Sequence, residues 1–222
     1  MKKIIMFISG FGMSSVARKW IMGITGIFLC VFLLVHLSGN LILLSGDNAR
    51  QTFNAYYEYM SNSMLVQFIR WVTYIGILFH IIYAFVLIIK NRSIKKTSYA
   101  YQSPDAKKKA LNIKLRPILG AFILVFLVVH LKSFWFNASI IGLEDLYGEV
   151  VLAFQNIYYV SFYVFSMLFL AYHLVHGLKN GLRTLGLINE KYLKAIEIIA
   201  LCFAIVVPAL FSIIPIYIYI LL

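Results

Sequence analysis

Five stretches of the chain run for about twenty residues or more with scarcely a charge: about 20–44, 67–90, 117–138, 153–178 and 196–221. A helix needs about 20 apolar residues to cross the hydrocarbon core of a bilayer. The pattern therefore predicts five transmembrane helices. Polar segments part them: SGDNARQ after the first, KNRSIKKTSYAYQSPDAKKK after the second, and NEKYLK before the fifth. Pro117 is expected to open the third span, where its missing N–H costs nothing. Pro208 and Pro215 fall inside the fifth span and predict a bend there. Lipid offers no partner to exposed backbone groups, so the expected fold is an all-α helical bundle. Residues 1–222 read as one membrane domain.

Composition agrees. Hydrophobic types make up 62% of the 222 residues and charged types 13%, against about 45–50% and about 25% in globular domains. A soluble globule, a disordered chain and a disulfide-rich scaffold are all excluded. Cys30 and Cys202 lie in apolar runs and read as small hydrophobes. The opening MKKIIMFISGFGMSS has too short an apolar run for a secretory signal and reads as a segment lying on the bilayer surface. The net charge of +12 is not spread evenly: by these spans, seventeen Lys and Arg fall on one side and only Arg50, Arg70 and Lys132 on the other. That asymmetry puts the N-terminus in the cytoplasm and the C-terminus outside. It marks a topology signal and a lipid-headgroup contact rather than a nucleic-acid surface. Docking of an acidic partner is a second use for the same rim.

The chain has five histidines, His36, His80, His130, His173 and His176, all in or at the spans. Ionisable residues there are costly, usually face the bundle interior and mark function. The chain also repeats. GIFLCVFLLVHL (Gly26 to Leu37) and GAFILVFLVVHL (Gly120 to Leu131) share eight residues in register, offset by 94. FHIIYAF (Phe79 to Phe85) aligns more weakly with YHLVHGL (Tyr172 to Leu178), offset by 93. The expected architecture is two tandem helical hairpins plus a fifth helix. The repeat relates His36 to His130 and His80 to His173, and sets His176 opposite Tyr83. Depth sorts the same four residues into layers. His36 is about 24 Å from Trp20 and His130 about 20 Å from Pro117, while His80 is about 15 Å from Lys90 and His173 about 9 Å from Lys179. Each layer, outer and inner, holds one imidazole from each hairpin.

Two imidazoles facing each other at each of two depths suit bis-histidine ligation of two haems, with no open iron position and therefore electron transfer. Neutral imidazoles also suit an apolar site. Gly26 and Gly120 are placed to let a porphyrin, or a neighbouring helix, approach the backbone. Zinc would want Cys, Asp or Glu converging on the histidines, and a proton relay would want carboxylates at depth; the spans supply almost none. The chain has no dinucleotide fingerprint and no cysteine cluster, so flavin and iron–sulfur chemistry belong elsewhere.

These residues resemble the diheme cytochrome b membrane subunit of succinate dehydrogenases and fumarate reductases, of the single-polypeptide, five-helix type of menaquinone-using bacteria. The resemblance covers essentially the whole chain and rests on SSVARKWIMGITGIFLCVFLLVHLSGNL, LFHIIYAFVL, LVFLVVHLKSFWF and YHLVHGLKNGLRTLG, with Asn40 four residues after the first histidine. It implies that His36 and His130 hold an outer haem, and His80 and His173 an inner one. The family's His-x-x-x-Gly pattern falls on His173 and Gly177. His176, Lys179 and Arg183 become candidates to meet a haem propionate. The resemblance further implies a bacterial cytoplasmic membrane, a flavoprotein subunit and an iron–sulfur subunit on the cytoplasmic side, and electron exchange with menaquinone.

Quinone chemistry couples electrons to protons, so a protonatable group belongs near the ring. The segment NARQTFNAYYEYM offers Glu58, with Asn54, Tyr56 and Tyr57 beside it; relatives of the fumarate reductase kind carry a glutamate in roughly this region. A site near the inner face would use Ser15 and Arg18 instead. Two other functions compete. One is a diheme cytochrome b of another respiratory complex, of the formate dehydrogenase, hydrogenase or nitrate reductase type. The other is a transporter, against which the direct two-helix repeat counts, since transporters favour inverted repeats.

Overall fold

A computed structural model describes residues 14–94, 104–142 and 144–222, without the side chains at 15, 90–94, 104–114, 116 and 190. The N-terminal segment expected to lie on the bilayer surface, the Ser15 side chain and much of the basic stretch between spans two and three lie outside the described residues. Every regular element among the described residues is helical. In chain order these are α1 (Ser15–Asn40), two 3-10 turns (Leu41–Leu44 and Gly46–Asn48), α2 (Ala49–Asn62), α3 (Met64–Ile94), and α4 (Pro104–His130) with its π-helical continuation Leu131–Ile141. Then follow α5 (Leu146–Phe154), α6 (Ile157–Thr184), a turn at Glu190–Tyr192 and α7 (Leu193–Leu221). Five of them are long and apolar enough to cross a bilayer: 16–44, 64–89, 117–141, 157–184 and 193–221. The protein is an all-α multi-pass membrane bundle.

Local chemistry sets the ends. Ser14 caps α1 by accepting the Ala17 N–H at 3.1 Å. Asn156 caps α6, its Oδ1 accepting the N–H groups of Tyr158 and Tyr159 at 2.9 and 3.4 Å. That cap corrects the expected fourth span, which starts at 157 rather than about 153; the apolar residues before it belong to the separate helix α5. Pro117 does not open its helix. It lies inside α4, which starts at Pro104, because the intervening Ala, Leu and Lys are good helix formers. Pro104 takes the N-terminal place where proline is tolerated. At the other end Gly142, with φ of 76°, supplies the left-handed residue that stops the π-helical segment. α7 runs through Pro208 and Pro215 as one helix.

α1 packs on α3 and α4 packs on α6, which makes the two hairpins; α1 and α6 join them, and α7 lies along α6 and touches α1. The close contacts therefore run α3–α1–α6–α4. The pairs α1 with α4 and α3 with α6 lie across the diagonals and are not closely packed. α3 and α4 face outward, and no residue in the most apolar stretch of the third span is fully buried. At the end where α1 and α7 begin, hereafter the basic end, α1 crosses α6 at two glycines. A Cβ on Gly181 would sit 3.8 Å from the Gly23 Cα, the close approach that small residues allow between membrane helices. Glu197 of α7 is bound there by Lys179 at 2.7 Å and Arg183 at 3.2 Å.

At the far end, α2 and α5 form a cap over the main core, which gathers Leu37, Phe53, Phe154, Tyr163, Val207 and Ile218. Asp145 fastens the cap. It accepts from Arg50 and Asn54, each at 2.8 Å, and from the Gly148 N–H at 3.1 Å. The Tyr57 hydroxyl donates to the Ala138 carbonyl at 3.1 Å.

Candidate functional site

The four repeat-related histidines meet as two pairs, each across one of the diagonals. The rings of His36 (α1) and His130 (α4) have centres 5.7 Å apart and planes at 89°. Those of His80 (α3) and His173 (α6) are 6.3 Å apart at 71°. The repeat shows in the contacts. Phe32 stacks on His36 one turn later, at 5.4 Å and 15°, and its counterpart Phe126 stacks on His130 at 5.7 Å and 25°. This i, i+4 neighbourhood is what helical geometry dictates.

The two pairs sit in different surroundings. The far-end pair is walled by aromatic rings. Phe134 meets His130 at 5.5 Å, Phe211 of α7 meets His36 at 5.7 Å, and Tyr163 meets His130 at 6.1 Å. The Tyr163 hydroxyl lies 3.3 Å from His130 Nδ1 and 3.0 Å from the Tyr159 hydroxyl. The basic-end pair is framed by small groups. A Cβ on Gly26 would come within 3.3 Å of the His80 Cε1, so this glycine makes room for the imidazole itself. The Thr25 hydroxyl lies 3.1 Å from His80 Nδ1. Gly120, the repeat counterpart of Gly26, has nothing within 4 Å of where its Cβ would stand.

No group of three or more His, Cys, Asp or Glu converges among the described residues. A metal held by protein donors alone has too few ligands here. Two opposed imidazoles instead suit a group that brings its own in-plane donors, as a porphyrin does. With metal–imidazole bonds of about 2.0 Å and a ring centre about 1.1 Å from its nitrogen, two rings on opposite sides of one metal stand about 6.2 Å apart. Both observed separations lie near that value. The donor set at each pair, two imidazoles with no third protein ligand, would suit a haem.

The remaining candidates are scattered. His176 packs against Tyr172, ring centres 4.6 Å apart and planes at 68°. Lys179 and Arg183 are engaged with Glu197. Arg18 is buried near the basic end. Glu58 is exposed on α2. Of its neighbours, Asn54 and Tyr57 are committed to holding the cap. Tyr56 lies against Gly39, where an added Cβ would fall 2.7 Å from its ring, and burial pushes its phenol pKa up. Asn40 donates back to the His36 carbonyl at 2.7 Å, ending α1.

Sequence reasoning missed Thr25, Tyr163 and the Gly23–Gly181 crossing. The glycines had a signal, since Gly177 and Gly181 form a G-x-x-x-G pair. Tyr163 is one of fifteen tyrosines and carried none. Comparison with protein-family models, with curated proteins and with solved structures finds no match for this chain.

Proposed function

We propose that the chain is the diheme cytochrome b membrane anchor of a succinate:quinone oxidoreductase, of the succinate dehydrogenase or fumarate reductase kind. It passes electrons between an iron–sulfur subunit and menaquinone. The observation that carries this reading is the pair of imidazole pairs, each contributed by both hairpins, with ring centres 5.7 and 6.3 Å apart. When bound, each haem supplies a one-electron iron couple closed to exogenous ligands. The chain's own residues do the rest. His80 and His173 hold the basic-end group, and His36 and His130 hold the far-end group. The aromatic wall and the helices exclude water.

The lysine and arginine asymmetry orients the basic end toward the bacterial cytoplasm. The flavoprotein and iron–sulfur subunits dock on that side. Lys179, Arg183 and His176 lie near that end, where a porphyrin carboxylate could draw the two cations from Glu197. Glu58, on the far-end cap, exchanges the quinone's protons with water. The dicarboxylate chemistry belongs to the partner subunits.

Visible spectra of the purified full chain, oxidised and then reduced with dithionite, test the reading. The expected result is sharp reduced b-type bands with two haems per chain. A colourless, correctly folded protein would overturn it. Copurification from native membranes then tests the partners. A flavoprotein and an iron–sulfur protein with succinate dehydrogenase activity support the assignment, and a hydrogenase, formate dehydrogenase or nitrate reductase moves the chain to another respiratory complex.

A further inference from the structure

Each histidine pair contains one ring with a hydroxyl on its Nδ1 and one without. Thr25 serves His80, and Tyr163 serves His130. For His36 and His173 no ring-nitrogen hydrogen bond is present among the described residues. The asymmetry is a divergence of the repeat. The counterpart of Thr25 is Leu119, which has no hydroxyl, and the counterpart of Tyr163 is Arg70.

The direction of one bond follows from proton counting. A threonine hydroxyl has one proton to give. Thr25 Oγ1 lies 2.8 Å from the Ile21 carbonyl one turn back, an oxygen that can only accept. The proton goes there, and the Thr25 oxygen is left to accept from His80 Nδ1–H. That places the ring proton on Nδ1 and leaves the lone pair on Nε2. The second ring follows if Tyr163 gives its proton to Tyr159 and accepts from His130 Nδ1–H.

We infer that Thr25 and Tyr163 are positioning residues that fix the Nδ1–H tautomer of His80 and of His130, so that in each pair one anchored imidazole presents Nε2 to the metal. The inference rests on the haem reading above. A hydrogen bond from Nδ1–H raises the basicity of the ligating nitrogen and orients the ring. It therefore favours oxidised iron, and its loss raises the midpoint potential of that haem alone.

The test is a potentiometric titration of the purified full chain, wild type and variants, with the two haem signals assigned from His80→Ala and His130→Ala. Thr25→Val is expected to raise the basic-end midpoint and leave the other in place. A tenfold change in the reduced-to-oxidised ratio at fixed potential, about 59 mV for one electron, is the size to look for. Thr25→Ser restores the wild-type value. Tyr163→Phe, which keeps the ring in its aromatic wall, raises only the far-end midpoint. Two haems with both midpoints unmoved, or moved together by either variant, overturn the inference while the haem reading stands. If Thr25→Val loses its haem outright, Thr25→Ser decides: recovery of haem and potential supports the inference, and an equally empty Thr25→Ser overturns it. A wild-type chain that binds no haem removes both readings together.

Discussion

The two ends of the bundle solve one packing problem in opposite ways. Around His36 and His130 the space is filled with rings. Phe32, Phe126, Phe134, Tyr163 and Phe211 converge there, and the cap of α2 and α5 closes over them. Around His80 the space is made by omission: Gly26 lies against the imidazole and Thr25 is small. A ring held by large neighbours keeps its place because they cannot all move. A ring seated on a glycine keeps its place only while nothing is added. The far-end site should therefore withstand loss of single side chains around it, and the basic-end site should fail on gain of one.

The largest effect comes from the imidazoles. His80→Ala or His173→Ala should remove the basic-end haem and stop quinone-linked turnover, and His36→Ala or His130→Ala should remove the far-end haem. The haem-to-protein ratio should fall from two to one in each case. Retention of both haems in any of these four variants breaks the pairing. Gly26→Val should come next. Its side chain enters the space of His80, 3.3 Å from the Cε1 at the Cβ alone. The basic-end haem should be depleted while the far-end band stays. Equal depletion of both would mean that Gly26 serves the helix crossing as a whole and not that ring.

Glu58→Gln should slow quinone turnover several-fold with the haem spectrum intact; unchanged turnover would remove Glu58 from the site. A smaller effect is expected in the cap. The Asp145 carboxyl is held below its usual pKa, first by the Asn54 hydrogen bond, then by the Gly148 N–H, and also by Arg50. Its stabilisation is complete above the unfolded value, about 3.9, and is lost as pH falls through the lower folded value. Asp145→Ala removes an N-cap and should cost about 1 kcal/mol in thermal unfolding. The loss should be full at neutral pH and should fade in strong acid, where wild type and variant converge. Least of all, His176→Ala should leave both haems in place, since that ring packs on Tyr172. A haem lost there and kept in His173→Ala would exchange the roles of the two residues.

The spans, their number and the presence of every histidine within one of them were legible in one dimension. Length and apolarity are summed along the chain, and a helix rises a fixed distance per residue. The repeat added which histidines are equivalent, and Phe32 and Phe126 meet their histidines in the same way because that contact is local. The Asn156 cap was overlooked for a different reason. An apolar run on both sides hid a break that one side chain makes.

What the tertiary structure alone decided is lateral. In lipid an apolar side chain is equally at home facing a neighbour or the bilayer, so periodicity did not reveal that α1 and α6 are central while α3 and α4 face outward. For the same reason the partners of His80 and His130 stayed hidden. Thr25 and Tyr163 lie on other helices, 55 and 33 residues away in sequence, and only the crossing of those helices brings each hydroxyl to its ring. Hydrophobicity along the chain determined a membrane bundle with imidazoles in four of its spans. The packing of its helices brings the expected imidazole pairs together and alone determined which of the rings have a hydroxyl at their back.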